Sequence, residues 1–195
     1  MRNTIAAAAL GALAACTAPA IVAAASIDCT KVKGSVDDLV CKDPALMALD
    51  KKLVDVYAAA SKAAAGPQKD RLLAEQQSWL AERERCAGAA DAPACVKSRY
   101  MRRIADLQAQ FKLAASRGPF RFVCNKDPAN ILTAQYFATD PPTARFFHDG
   151  RTVTAYIARS GSGARYDNAN VSYWEHEGEA SVVWYGRNKI GRAHV

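Results

Sequence analysis

The chain is short of the residues from which most enzyme sites are built. It has three histidines and three methionines among 195 residues. No His-x-x-x-His pair and no Cys-x-x-Cys pair occurs, so the usual ligand spacings of a metal site are missing. Ser162 has acids, His148 and His176 elsewhere in its half of the chain, an invitation to a hydrolase reading. No Gly-x-Ser-x-Gly elbow surrounds it, however. No glycine-rich phosphate loop leads from a strand into a helix. Beyond the N-terminal run, no stretch is apolar for long enough to span a bilayer. The formal charge is +7, but no basic-aromatic motif accompanies it, which argues against nucleic acid as a partner. These absences lead us to expect a protein that is not an enzyme and uses no metal or cofactor.

What is present at the N-terminus is an export signal. Arg2 precedes a short apolar run over residues 4–15, too short to cross a membrane and suited to a signal peptide over residues 1–25. Ala23-Ala24-Ala25 before Ser26 fits an ordinary signal-peptidase site. Leu13-Ala14-Ala15-Cys16 is an alternative lipobox that would make Cys16 a lipid-bearing residue. The expected location is the periplasm, with an outer-membrane lipoprotein as the alternative; membrane contact is expected only through such an anchor. Export places the cysteines in an oxidising compartment. Cys29, Cys41, Cys86 and Cys95 lie in the first half and are expected to form two disulfides, in one of three connectivities. Cys124 stands alone in the second half.

Residues 26–115 carry helical periodicity. Ser35-Val36-Asp37-Asp38 reads as the cap of a short helix. Asp43-Pro44 supplies an N-cap and a first-turn proline for a longer one. Leu46, Leu49, Leu53, Val56, Tyr57 and Ala60 share a face of it. Gly66-Pro67 breaks the pattern. Leu72, Leu73, Gln76, Trp79, Leu80 and Arg83 mark a second long helix; Gly88, Asp91 and Pro93 mark a loop. Val96, Tyr100, Ile104, Leu107 and Phe111 form the stripe of a third. Residues 116–119 read as a linker. The period then becomes strand-like, over 120–124, 131–138, 145–148, 152–157, 171–174 and 180–185. Asp149-Gly150 is a hairpin signal, and Ser160 to Gly163 a glycine-serine loop. The fold class is therefore α+β in two modules: a disulfide-stapled bundle of about three helices, then a small antiparallel β-barrel or sandwich over 120–188.

Two resemblances attach to these patterns. Ile27-Asp28-Cys29, Leu39-Val40-Cys41-Lys42-Asp43-Pro44, Leu49-Asp50, Tyr57, Glu75-Gln76-Gln77-Ser78-Trp79-Leu80, Arg83, Cys86, Cys95 and Tyr100 together resemble the LprI-type lysozyme-inhibitor domain. Phe120-Arg121-Phe122-Val123-Cys124, Ser160-Gly161-Ser162-Gly163-Ala164-Arg165-Tyr166 and Trp174-Glu175-His176-Glu177-Gly178-Glu179-Ala180 resemble the membrane-bound or periplasmic inhibitor of C-type lysozyme. The second resemblance implies a small antiparallel barrel whose serine loop enters the lysozyme cleft. A serine and a lysine there meet the enzyme's two catalytic carboxylates. The serine corresponds to Ser162, and the lysine position holds His176. Histidine is only partly charged at neutral pH, and Glu177 follows it, so inhibition is expected to be weaker or to shift onto Arg165. The implied lysozyme-binding residues are Ser162, Gly163, Arg165, Tyr166 and His176.

The same family pairs the first-strand cysteine with one on the last strand, which implies that Cys124 pairs with a cysteine absent from this chain. Ile-Gly-Arg-Ala-His-Val is what a common sequencing adapter encodes. Residues 189–195 are therefore expected to be a non-native tail and the barrel to be truncated at its last strand. The function expected is a periplasmic or envelope-attached inhibitor of C-type lysozyme that inserts a Ser-Gly loop into the active-site cleft. The alternative is a non-catalytic envelope module that binds peptidoglycan or a partner protein.

Overall fold

The computed structural model describes residues 26–32 and 36–194, the last six of them as backbone. The expected signal peptide, Cys16 and Ser35 lie outside the described residues.

Among the described residues the N-terminal module has four α-helices: α1 (Val36–Lys42), α2 (Pro44–Ala63), α3 (Pro67–Glu84) and α4 (Ala92–Gln110), with a 3-10 turn at Arg85–Gly88. The count of about three covered the long ones. The Asp43 carboxylate accepts the Ala45 and Leu46 N–H groups at 2.7 and 3.3 Å, and Pro44 occupies the first turn, where its missing N–H costs nothing. Asp91 does the same for α4, accepting the Ala94 N–H at 2.9 Å. Asp91 and Pro93, read as loop residues from the sequence, thus start a helix.

The helices bury Leu46, Leu53 and Tyr57 of α2, Leu72 and Trp79 of α3, and Val96, Tyr100, Ile104 and Leu107 of α4. On α3 the apolar stripe is narrower than the sequence suggests. Leu73 and Leu80 are exposed, while Gln76 and Arg83 are buried. The cause is a polar network in the core. Arg83 Nη1 donates to the Tyr100 hydroxyl at 2.7 Å, and that hydroxyl donates to Asp50 at 3.0 Å. The other Asp50 oxygen accepts the Ser26 hydroxyl and the Ile27 N–H at 2.8 and 3.1 Å. Arg83 also pairs with Asp37 and Glu84 and faces the Trp79 and Tyr100 rings. A buried carboxylate and a buried guanidinium are tolerated because each is hydrogen-bonded. The staples are Cys29–Cys41 and Cys86–Cys95.

The C-terminal module is a closed antiparallel barrel of eight strands in sequential order: β1 (Ser116–Cys124), β2 (Ile131–Phe137), β3 (Thr143–His148), β4 (Arg151–Ala158), β5 (Ala164–Asp167), β6 (Val171–His176), β7 (Glu179–Trp184) and β8 (Arg187–His194). Three features depart from the sequence reading. First, residues 116–119 are not a separate linker, because Ser116 and Arg117 already pair with β2. A β-bulge then accommodates Gly118-Pro119. Second, Ala164–Asp167 is a strand and not part of a loop. Third, the place of the expected missing strand is taken by Arg187–His194, whose backbone pairs with β7 and with β1. Cys124 is fully buried and belongs to neither disulfide.

Asp149-Gly150, Glu177-Gly178 and Tyr185-Gly186 each have two successive positive φ values, the conformation that two-residue hairpins favour. Inward residues of β1 to β7 bring Phe122, Leu132, Phe146, Tyr166, Tyr173, Val182 and Trp184 into one core. The Tyr136 and Tyr173 hydroxyls meet at 2.6 Å inside it.

The modules touch along α4. The Tyr156 hydroxyl of β4 donates to Asp106 at 2.7 Å, the Arg102 guanidinium sits 4.9 Å from the Tyr156 ring, and Arg145 Nη1 donates to the Gln110 carbonyl at 3.4 Å. Burial pushes the Asp106 carboxyl up to about 6, against the opposing pull of the Tyr156 hydrogen bond and Arg103.

Candidate functional site

The glycine-serine loop connects β4 to β5 at one end of the barrel. Residues 159–163 are exposed, the Ser162 side chain among them. Two features hold the loop in place. Gly163 has φ +64, and a Cβ there would stand 2.0 Å from the Glu175 carbonyl oxygen and 3.0 Å from the His176 Cβ. Only glycine permits this approach to β6. The Ser162 carbonyl accepts the Trp174 indole N–H at 2.8 Å and the Ser160 hydroxyl. The backbone of the loop is thus fixed while the Ser162 hydroxyl stays on the surface.

His176 belongs to the same patch. Trp174 and His176 both point outward from β6, and their rings stack at 5.9 Å with an interplanar angle of 8°. The indole that pins Ser162 therefore also supports the imidazole. Nε2 of His176 lies 3.5 Å from the Glu177 carboxylate. Arg165 is opposite Trp174 in register on the same outer face, exposed but engaged by Asp167 at 2.9 Å. Ser162, Gly163 and His176 thus come together, with Arg165 beside them on β5.

Tyr166 is different. It is opposite Tyr173, 8% exposed, and packs against Tyr136 and Phe146 inside the barrel. As a surface contact for a partner it is corrected here to a core residue. Alternation along β5 sends Arg165 out and Tyr166 in, which is hidden when the segment is read as loop. Ser160 and Trp174 belong to the motifs read from the sequence, but their roles in holding the loop had no sequence signal. Of the histidines in the hydrolase reading, His148 is fully buried, with Nδ1 at 2.9 Å from the Ile131 carbonyl.

Residues 29–117 match the family model described as lysozyme inhibitor LprI. Residues 122–190 match the one described as membrane-bound lysozyme-inhibitor of c-type lysozyme. The chain is 33% identical over 167 residues to the Lipoprotein LprI of Mycobacterium tuberculosis (strain H37Rv) and to that of Mycobacterium bovis (strain AF2122/97), across 86% of this chain and 83% of each relative. The chain belongs to the LprI family. Both matched families are inhibitors of lysozyme and not enzymes. No solved structure matches the chain. Among the described residues no helix is long and apolar enough to cross a membrane.

Proposed function

We propose that this chain inhibits C-type lysozyme from the cell envelope by seating the β4–β5 loop in the enzyme's active-site cleft. The observation that carries the reading is the loop itself, with an exposed serine hydroxyl on a backbone pinned by Trp174 and by the close approach of Gly163 to β6. C-type lysozymes cleave glycosides with two carboxyl groups. An inhibitor needs no chemistry of its own against them, only donors that reach those carboxyls. Ser162 supplies one donor and His176, when protonated, a second. Pre-ordering the loop lowers the entropy lost on binding. The envelope location follows from the export signal and from relatives named lipoproteins, with attachment through Cys16 where the lipobox is used. The bundle serves as tether or second contact.

The test is a lysis assay with a C-type lysozyme. Ser162→Ala removes a hydrogen bond to a charged group and should weaken inhibition by about 1.5–3 kcal/mol, roughly ten- to hundredfold. His176→Lys installs a full cation and should strengthen it by roughly tenfold at neutral pH. No inhibition by the intact protein at micromolar dose would favour the non-inhibitory envelope module.

A further inference from the structure

We propose that the open end of the barrel binds a zwitterionic α-amino acid with an apolar side chain. This cavity adjoins the β4–β5 loop, since Glu175 lines it and also meets Gly163, but the binding argued here does not depend on the lysozyme reading. A cavity of about 690 Å³ opens there, within the range of small-molecule sites. Its walls are aromatic, with Phe120, Tyr136, Phe137 and Tyr166 among them, and two charges reach it: Arg117 of β1 and Glu175 of β6. Arg117 is opposite Tyr136 in register and so shares its face of the sheet. Glu175 is on the inward alternation of β6 with Val171 and Tyr173. Its charge is felt by the interior phenols. Burial chiefly pushes Tyr136 up to about 12, and Glu175 adds to the rise.

These two charges do not satisfy each other. Among the described residues neither forms an ion pair, and Glu175 accepts only a long hydrogen bond, from the Gly178 N–H at 3.4 Å. A purely apolar ligand would fill the walls and leave both charges unmatched. A cation would use Glu175 and the ring faces but leave Arg117. An anion would use the Arg117 fork but leave Glu175. An α-amino acid carries a carboxylate, an ammonium and an apolar side chain, so it offers a partner of matching chemistry to Arg117, to Glu175 and to the aromatic walls.

The experiment uses the full mature chain with no lysozyme present, so its failure says nothing about inhibition. L-phenylalanine, phenethylamine and 3-phenylpropionate are titrated while the aromatic NMR signals of the protein are followed. L-phenylalanine should saturate and bind at least tenfold more tightly than either singly charged probe. Glu175→Gln should lower phenylalanine affinity about tenfold and leave 3-phenylpropionate binding unchanged. Arg117→Gln, on the exposed rim, should lower phenylalanine affinity similarly and leave phenethylamine binding unchanged. No saturable phenylalanine binding at millimolar concentration would overturn the proposal. So would equal binding of all three probes, or variants that weaken all three alike.

Discussion

At the scale of single residues, the candidate site depends on one missing methyl group. Gly163 lets the loop end lie on β6, where any Cβ would meet the Glu175 carbonyl oxygen at 2.0 Å. Gly163→Ala must push the loop off the strand and break the Trp174 hydrogen bond to Ser162. We expect it to weaken lysozyme inhibition at least as much as Ser162→Ala, while the far-UV circular dichroism of the protein stays unchanged. A Gly163→Ala variant that inhibits like the parent would show that loop placement is unimportant. The glycine-serine loop was legible in the sequence. The specific neighbour was not, because Glu175 lies twelve positions away and only strand pairing brings its carbonyl close. Tyr166 shows the same limit. Its residue type suits an interface, yet alternation along a strand of four residues turns it into the core.

At the scale of elements, the helices were legible wherever a cap or an apolar stripe marked them, as Asp43-Pro44 and the Val96 to Leu107 stripe did. Buried polar residues were not. Asp50 is 5% exposed and Arg83 4%, because Tyr100 bridges them, and no apolar periodicity announces such a bridge. Tyr100→Phe would keep the ring and remove the hydroxyl that Arg83 and Asp50 share inside the core, leaving each with its other partners. It should cost about 1–3 kcal/mol in urea unfolding, more than one hydroxyl on the surface; a loss under 0.5 kcal/mol would contradict the role assigned to the network. The strand Ala164–Asp167 escaped the sequence reading because it is short and follows a glycine-serine loop directly. The final strand escaped it because residues 189–195 were read as a non-native tail, whereas the backbone of Arg187–His194 pairs with β7 and β1.

At the scale of the whole molecule, two modules from two inhibitor families share a polar junction centred on Asp106. Its carboxyl is raised from 3.8 to about 6, chiefly by burial. A raised carboxyl is penalised when ionised in the folded chain. Its contribution to stability is therefore complete below about pH 4 and lost as pH rises through about 6, a change of roughly 3 kcal/mol. Asp106→Asn removes this dependence. The stability of the variant relative to the parent should rise by about 2–3 kcal/mol between pH 4 and pH 7 in paired denaturation curves, and a difference that stays flat across that window would exclude the buried junction.

The proposed inhibition requires the loop to occupy the catalytic cleft of lysozyme. The most direct measurement is binding of the full mature chain to a catalytically inactive C-type lysozyme, with and without a saturating oligosaccharide in that cleft. The oligosaccharide is expected to displace the chain competitively, and Ser162→Ala to weaken binding in its absence. Binding that is unaffected by the filled cleft would place the contact elsewhere and contradict the proposed inhibition.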